Sequence, residues 1–178
     1  MISGVILRPA CHTGGMDDVE RIAAARRGYA ELAPRVMAGE PWALAEDYGT
    51  GPEASWGPRE VLAHVEEMLP FWLGEMERLI DGAGSAPIPF GRTAEDTVRL
   101  GIIDRDRRLP LRVLFHRVDD GLRAWQERLP TLTEVERHRI GVHPRLGEMP
   151  AGAILDRFIT GHAEDHISQL NDILATRG

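Results

Sequence analysis

The apolar positions of this chain fall into four long stretches of helical period, and none shows the strict alternation of a strand. The first covers about Asp17 to Met37. Val19, Ile22, Ala23, Ala30, Ala33 and Val36 lie on one side of it, and Asp17 or Asp18 stands where a cap belongs. A loop with Pro41, Gly49, Gly51 and Pro52 follows. The second helix opens at "SWGPREVLAHVEEMLPFWLGEMERLI". Pro58 suits its first turn, where a missing N–H costs nothing, Gly82 and Gly84 end it, and Pro70 predicts a kink inside it. A linker with Pro87, Pro89 and Gly91 leads to a weaker helical stretch, about Thr93 to Asp104. The third main helix runs from near Pro110 to about Leu129. Its apolar residues Leu111, Phe115, Val118, Leu122, Trp125 and Leu129 alternate in steps of four and three, as bundle packing requires. A loop from Pro130 to Met149 carries His138 and His143. The fourth helix opens at Pro150 and runs to about Thr176. Four long amphipathic helices predict an all-α four-helix bundle.

Length and composition add limits. A chain of 178 residues is enough for one domain with a full core. Residues 17–178 read as one helical bundle domain and residues 1–16 as a flexible N-terminal extension, with Met16 just before the first helical pattern. The opening lacks the apolar core of a secretory signal, and no apolar run is long enough to span a bilayer. The single cysteine, Cys11, precludes an intramolecular disulfide and fits a reducing cytoplasm, the expected location. The net charge of −7 and the mixing of aspartates into "DRDRRLPLR" disfavour direct nucleic-acid contact. The expected partner is a small-molecule substrate, with no nucleic acid and no membrane. All 21 basic residues are arginine. Without lysine, Schiff-base chemistry, pyridoxal-phosphate attachment and a P-loop are excluded. There is also no G-x-S-x-G elbow and no G-x-G-x-x-G turn.

The candidate chemistry lies in the histidines. On the fourth helix the stripe is Leu155, Phe158, Ile159, Leu170 and Ile173. His162 and His166 fall at its centre, roughly 40° apart, with Asp165 on the flank. Two unpaired rings in such a stripe would each cost about 1–3 kcal/mol, and a shared metal ion satisfies both. On the second helix His64 sits at the edge of the face made by Val61, Val65, Met68, Trp72 and Met76, in reach of a neighbouring helix. His116 lies opposite the seam of its own helix and is excluded as a ligand. His12, His138 and His143 fall in loops or the extension.

Two motifs, "SWGPREVLAHVEE" and "LGEMPAGAILDRFITGHAEDHISQLNDIL", resemble the DinB/YfiT-like metalloenzyme superfamily over about Asp17 to Thr176. The resemblance implies a four-helix bundle with a long crossover between the second and third helices. It also implies a divalent metal on three histidines, here His64, His162 and His166. Many relatives carry an aspartate three residues after the first histidine. Glu67 stands there in this chain, as a candidate base or a carboxylate that orients a ligand. Asp165 or Gln169 is a candidate to orient an imidazole's second nitrogen. Three histidine ligands suit zinc or nickel, with iron or copper as further options. The resemblance implies a thiol-dependent S-transferase or isomerase using a low-molecular-weight thiol. The alternatives are a metal-dependent hydrolase and a non-catalytic, stress-related metal-binding or assembly protein. Relatives often dimerise, and Trp42 and Phe90 are either exposed apolar residues for a homodimer or part of the core packing.

Overall fold

A computed structural model of the chain describes residues 15–46, 53–82 and 86–177. Most of the predicted extension, with Cys11 and His12, lies outside them, as do Gly49, Gly51, Pro52 and Gly84.

Four helical rods form the core. They are α1 (Gly15–Ala38), α2 (Pro58–Asp81), α4 (Leu111–Arg128) and a last rod made of α6 (Ala151–Leu155), a π turn (Asp156–Thr160) and α7 (Gly161–Ala175). In α1 the buried side chains are Ile22, Ala25, Tyr29, Leu32 and Val36, and in α4 Leu111, Leu114, Phe115, Val118, Leu122 and Trp125. The first set steps by three and four, and the second does so apart from the adjacent pair Leu114 and Phe115, so each helix turns one stripe inward. α1 and α2 each pack against both α4 and α7. Helices consecutive in the chain, α1 and α2, therefore stand diagonally across the bundle, while α2 and α7 are neighbours. That neighbourhood brings His64 toward the C-terminal histidines. Trp125 fills the α2–α4 contact and donates its indole N–H to the Leu69 carbonyl at 3.0 Å.

The crossover from α2 to α4 carries a two-residue strand, β1 (Ile88–Pro89), and α3 (Thr97–Asp106). The connection from α4 to α6 holds a short helical turn, α5 (Glu134–Arg137), and a hairpin of β2 (Ile140–His143) and β3 (Gly147–Pro150). β1 pairs parallel with β2, Ile88 opposite Gly141, and β2 pairs antiparallel with β3, Ile140 opposite Pro150. This small sheet ties the two long connections together over one end of the bundle.

Several local expectations are corrected. Asp18 lies inside α1, not at its start, and its carboxylate pairs with Arg137 at 3.1 Å. The weaker helical stretch starts four residues later than the sequence pattern suggested, because the Asp96 side chain accepts the Arg99 N–H at 2.8 Å and sets the cap. Phe90 is buried, and Trp42 is half-buried with its N–H on the Val36 carbonyl and the Arg177 guanidinium over its ring. Both belong to the monomer's own packing. Among the described residues, no helix is long and apolar enough to cross a membrane.

Candidate metal centre

The start of α2 is fixed by a buried carboxylate. Glu60 accepts the N–H groups of Gly57 (3.2 Å) and Ala45 (2.9 Å), and Arg107 donates to it at 3.1 Å. These bonds satisfy amides that a helix start leaves without partners. One turn further on, His64 is buried with its ring edge-on to Trp56. On the last rod the π turn immediately precedes His162. The Thr160 hydroxyl bonds back to the Leu155 and Asp156 carbonyls at 3.4 and 3.3 Å. Gly161 closes the turn, and a Cβ there would meet the Asp156 carbonyl oxygen at 2.8 Å. Backbone cannot give way as a flexible side chain can, so glycine is required at this register. Gly161→Ala is expected to lower stability by about 1–3 kcal/mol through overpacking. It should also weaken cation binding by displacing His162. Urea unfolding and a zinc titration of the variant check both effects.

The three predicted histidines meet. Nε2 of His162 lies 2.9 Å from Nε2 of His64 and 3.1 Å from Nε2 of His166. The ring planes are nearly perpendicular to one another. Neighbouring bonds fix the protons. The Glu53 backbone carbonyl can only accept, so the group 2.8 Å from it is the NH2 of Gln169. The Gln169 oxygen therefore faces Nδ1 of His166 at 2.8 Å and takes its proton. That leaves Nε2 of His166 as a bare lone pair aimed at His162. Nδ1 of His64 lies 3.3 Å from the Arg99 guanidinium, an obligate donor, so it accepts and Nε2 of His64 carries the hydrogen. His162 Nε2 can accept that hydrogen, which leaves two lone pairs facing each other across 3.1 Å. The three rings have no complete hydrogen-bond solution among themselves. One cation would meet all three nitrogens at once.

Burial pushes the pKa of all three imidazoles below the usual histidine value. Mutual proximity and the nearby Arg99 add to this for His64 and His162, and His162 is brought down to about 3. For His166 the Gln169 bond opposes part of the effect. All three rings are thus neutral near neutral pH, the state in which imidazole binds metals.

A fourth residue that sequence reasoning missed joins them. Glu53, in a 3-10 turn just before α2, has a carboxylate oxygen within 4.8 Å of donor atoms of His64, His162 and His166. The Arg99 guanidinium forms an ion pair with that carboxylate. Of the two predicted carboxylates, Glu67 is buried and pairs with Arg92 at 2.5 Å. It is not one of the four converging residues. Asp165 is exposed and lines an open groove of about 650 Å³ beside His162 and His166, together with Ser168 and Asp172. On another side of the cluster, a small pocket of about 130 Å³ is lined by His64, His162, Trp72, Arg92, Arg99 and Phe158.

His143 lies behind that pocket, against its lining residue Phe158. Its Nδ1 accepts the N–H groups of Arg145 (3.2 Å) and Leu146 (3.3 Å), so its Nε2 donates to the Arg92 carbonyl at 3.2 Å. The ring stacks on Phe158, which stacks on Trp72. Gly91 reaches this column with φ +75°, and a Cβ there would meet His143 at 2.8 Å. His116 is exposed and faces Asp120, away from the cluster.

No family model matches the chain, and no curated protein matches it. Among solved structures it is similar to YfiT from Bacillus subtilis, described as a probable metal-dependent hydrolase with an unusual four-helix bundle topology. The superposition has a TM-score of 0.68 and 15 % sequence identity, and covers 96 % of this chain and 93 % of YfiT. The chain has a YfiT-like fold. The likeness speaks for the arrangement of the helices, including the long crossover between the second and third rods. The chemistry has to be argued from the side chains.

Proposed function

We propose that the chain is a metal-dependent hydrolase in which His64, His162 and His166 hold one divalent cation. The observation that carries this reading is the convergence of three neutral Nε2 atoms, two of them lone pair to lone pair at 3.1 Å. Three imidazoles leave coordination positions open, the pattern of catalytic sites, and suit zinc or nickel, with iron or copper as further options. A bound ion of this kind supplies a Lewis acid and lowers the pKa of water toward neutrality.

The chain's own groups supply the rest. Gln169 fixes the orientation and tautomer of His166, as metal-binding imidazoles require. Glu53 offers a carboxylate within 4.8 Å of the imidazole donors, close enough to hold a proton during hydrolysis. Trp72, Phe158 and Met68 form the apolar part of the small pocket's lining. Glu67 acts through Arg92, which it anchors at the pocket wall, and Asp165 lines the outer groove. YfiT's description supports hydrolysis by analogy of fold.

A second reading is thiol-dependent S-transfer or isomerisation, with a low-molecular-weight thiol as cosubstrate. Two openings on the same cluster, one aromatic and one polar, support it, because a transfer reaction has two reactants to seat. A small-molecule substrate is the partner under either reading.

The test begins with protein purified without a histidine tag. Elemental analysis should find about one zinc or nickel per chain, the one-ion site that three imidazoles make. Ester and amide substrates are then assayed with and without added thiols. Glu53→Gln, assayed with metal in excess, should lose at least about 100-fold in turnover, as removal of a proton-transfer group does. Turnover that requires a thiol would replace hydrolysis with transfer. A metal-loaded protein with no turnover on either panel and no exchangeable water would favour the assembly protein.

A further inference from the structure

We infer that Arg99 is a latch on the imidazole cluster, holding His64 in the tautomer that cannot offer Nε2 to a cation. The inference rests on the metal-site reading above and adds to it a residue that opposes loading. The two outer imidazoles are set in opposite senses. Gln169 accepts from Nδ1 of His166 and leaves Nε2 bare, ready for a cation. The Arg99 guanidinium is 3.3 Å from Nδ1 of His64 and has only hydrogens to give. A neutral ring whose Nδ1 accepts must carry its hydrogen on Nε2, here the nitrogen 2.9 Å from His162. That hydrogen occupies the position a cation would need.

Arg99 is well held. It is 6 % exposed, donates to the Ala94 carbonyl at 3.0 Å, pairs with Glu53 and lies 5.6 Å from the Trp56 ring centre. For a cation to bind, the hydrogen on Nε2 of His64 must leave and one must be taken up at Nδ1. The ring stays neutral and the proton count is unchanged. The new Nδ1–H then faces a donor, so the guanidinium has to withdraw from it. Glu53, released from Arg99, is the nearby carboxylate to accept the Nδ1–H. A carboxylate–imidazole–metal arrangement of this type orients many such ligands. Arg99 and the cation therefore compete for one ring and one carboxylate.

Nitrogen NMR of the imidazole rings reads this directly. In the metal-free protein above pH 7, His64 should carry its hydrogen on Nε2 and His166 on Nδ1. After one equivalent of zinc both should carry it on Nδ1. Arg99→Gln replaces an obligate donor with a side chain that can accept. In competition with a chelator it should bind zinc about 10-fold or more tightly than the unmodified chain, the scale on which such outer partners act. Metal-free His64 already protonated on Nδ1, or zinc affinity unchanged or weaker in folded Arg99→Gln, would overturn the latch and leave the metal site standing. If Arg99→Gln does not fold, the tautomers of the unmodified chain decide alone. Failure of the unmodified chain to bind zinc would overturn the metal-site reading and the latch together.

Discussion

A His162→Ala variant is expected to lose divalent-cation binding by more than about 100-fold, since even partners outside the coordination shell are worth 10–100-fold. His162 is the middle ring, with its Nε2 at 2.9 and 3.1 Å from the Nε2 atoms of the other two. Removing it leaves no three-nitrogen set. The fold should survive, because the ring is half-buried beside a groove and its contact with His166 joins two lone pairs. Metal-free stability should fall by no more than about 1–3 kcal/mol, because the buried His64 Nε2–H loses its acceptor while relief of the facing lone pairs offsets part of the loss. Zinc competition titration and urea unfolding in chelator check the two halves. Equal metal content in variant and parent would remove His162 from the site.

The metal-free protein is also expected to lose stability steeply in mild acid. His64, His162, His166 and His143 all have folded pKa values held below the ordinary histidine value, chiefly by burial. A depressed folded pKa gives stability that is present above the unfolded value, near 6.5, and lost as pH falls toward the folded one. As pH falls below about 6.5 the unfolded chain takes up protons on these rings more readily than the folded chain does. For the three rings of the cluster, leaving His143 aside, the slope is at most about 4 kcal/mol per pH unit. Glu66 works the other way. Burial and its bond to Asp106 push it up to about 7, so it weakens the fold as pH rises from 4.5 to 7. One carboxyl cannot cancel three imidazoles, and Glu66→Gln should steepen the acid loss. Since a domain has only about 5–15 kcal/mol in all, unfolding near pH 5 is expected in chelator. Excess zinc at neutral pH should raise the unfolding midpoint, because the ion binds the neutral rings. Urea curves at pH 5, 6 and 7, with and without metal, measure this. Flat stability from pH 7 to 5 would mean that the rings are not buried together.

The bundle was legible in the sequence because its helices are long. Ile22, Leu32 and Val36 in α1, and Leu111, Val118 and Trp125 in α4, repeat over enough turns for the period to stand out. The sheet was not. β1 has two residues and β2 four, one of them Gly141, too few for alternation to register. The histidines were legible for the same reason as the helices: each replaces an apolar residue on an inward face. Gln169, one turn from His166, could be found by spacing. Glu53, Arg92 and Arg99 could not. Each sits in the region outside the periodic stretches of the main rods, and each reaches the cluster by contacts 25 or more residues long in sequence or through a partner that does. The π turn before His162 leaves no compositional trace beyond Gly161.

His64 and His162 are separated by 98 positions in the chain, and both meet at one point. An ion gripping both would act as a reversible cross-link closing a loop through more than half the polypeptide. In the chain-entropy model, a tie across a loop of that length removes roughly 4–5 kcal/mol of freedom from the unfolded state. A protein with one cysteine cannot gain such a tie from an internal disulfide. Its persistence would then follow the supply of metal in its surroundings.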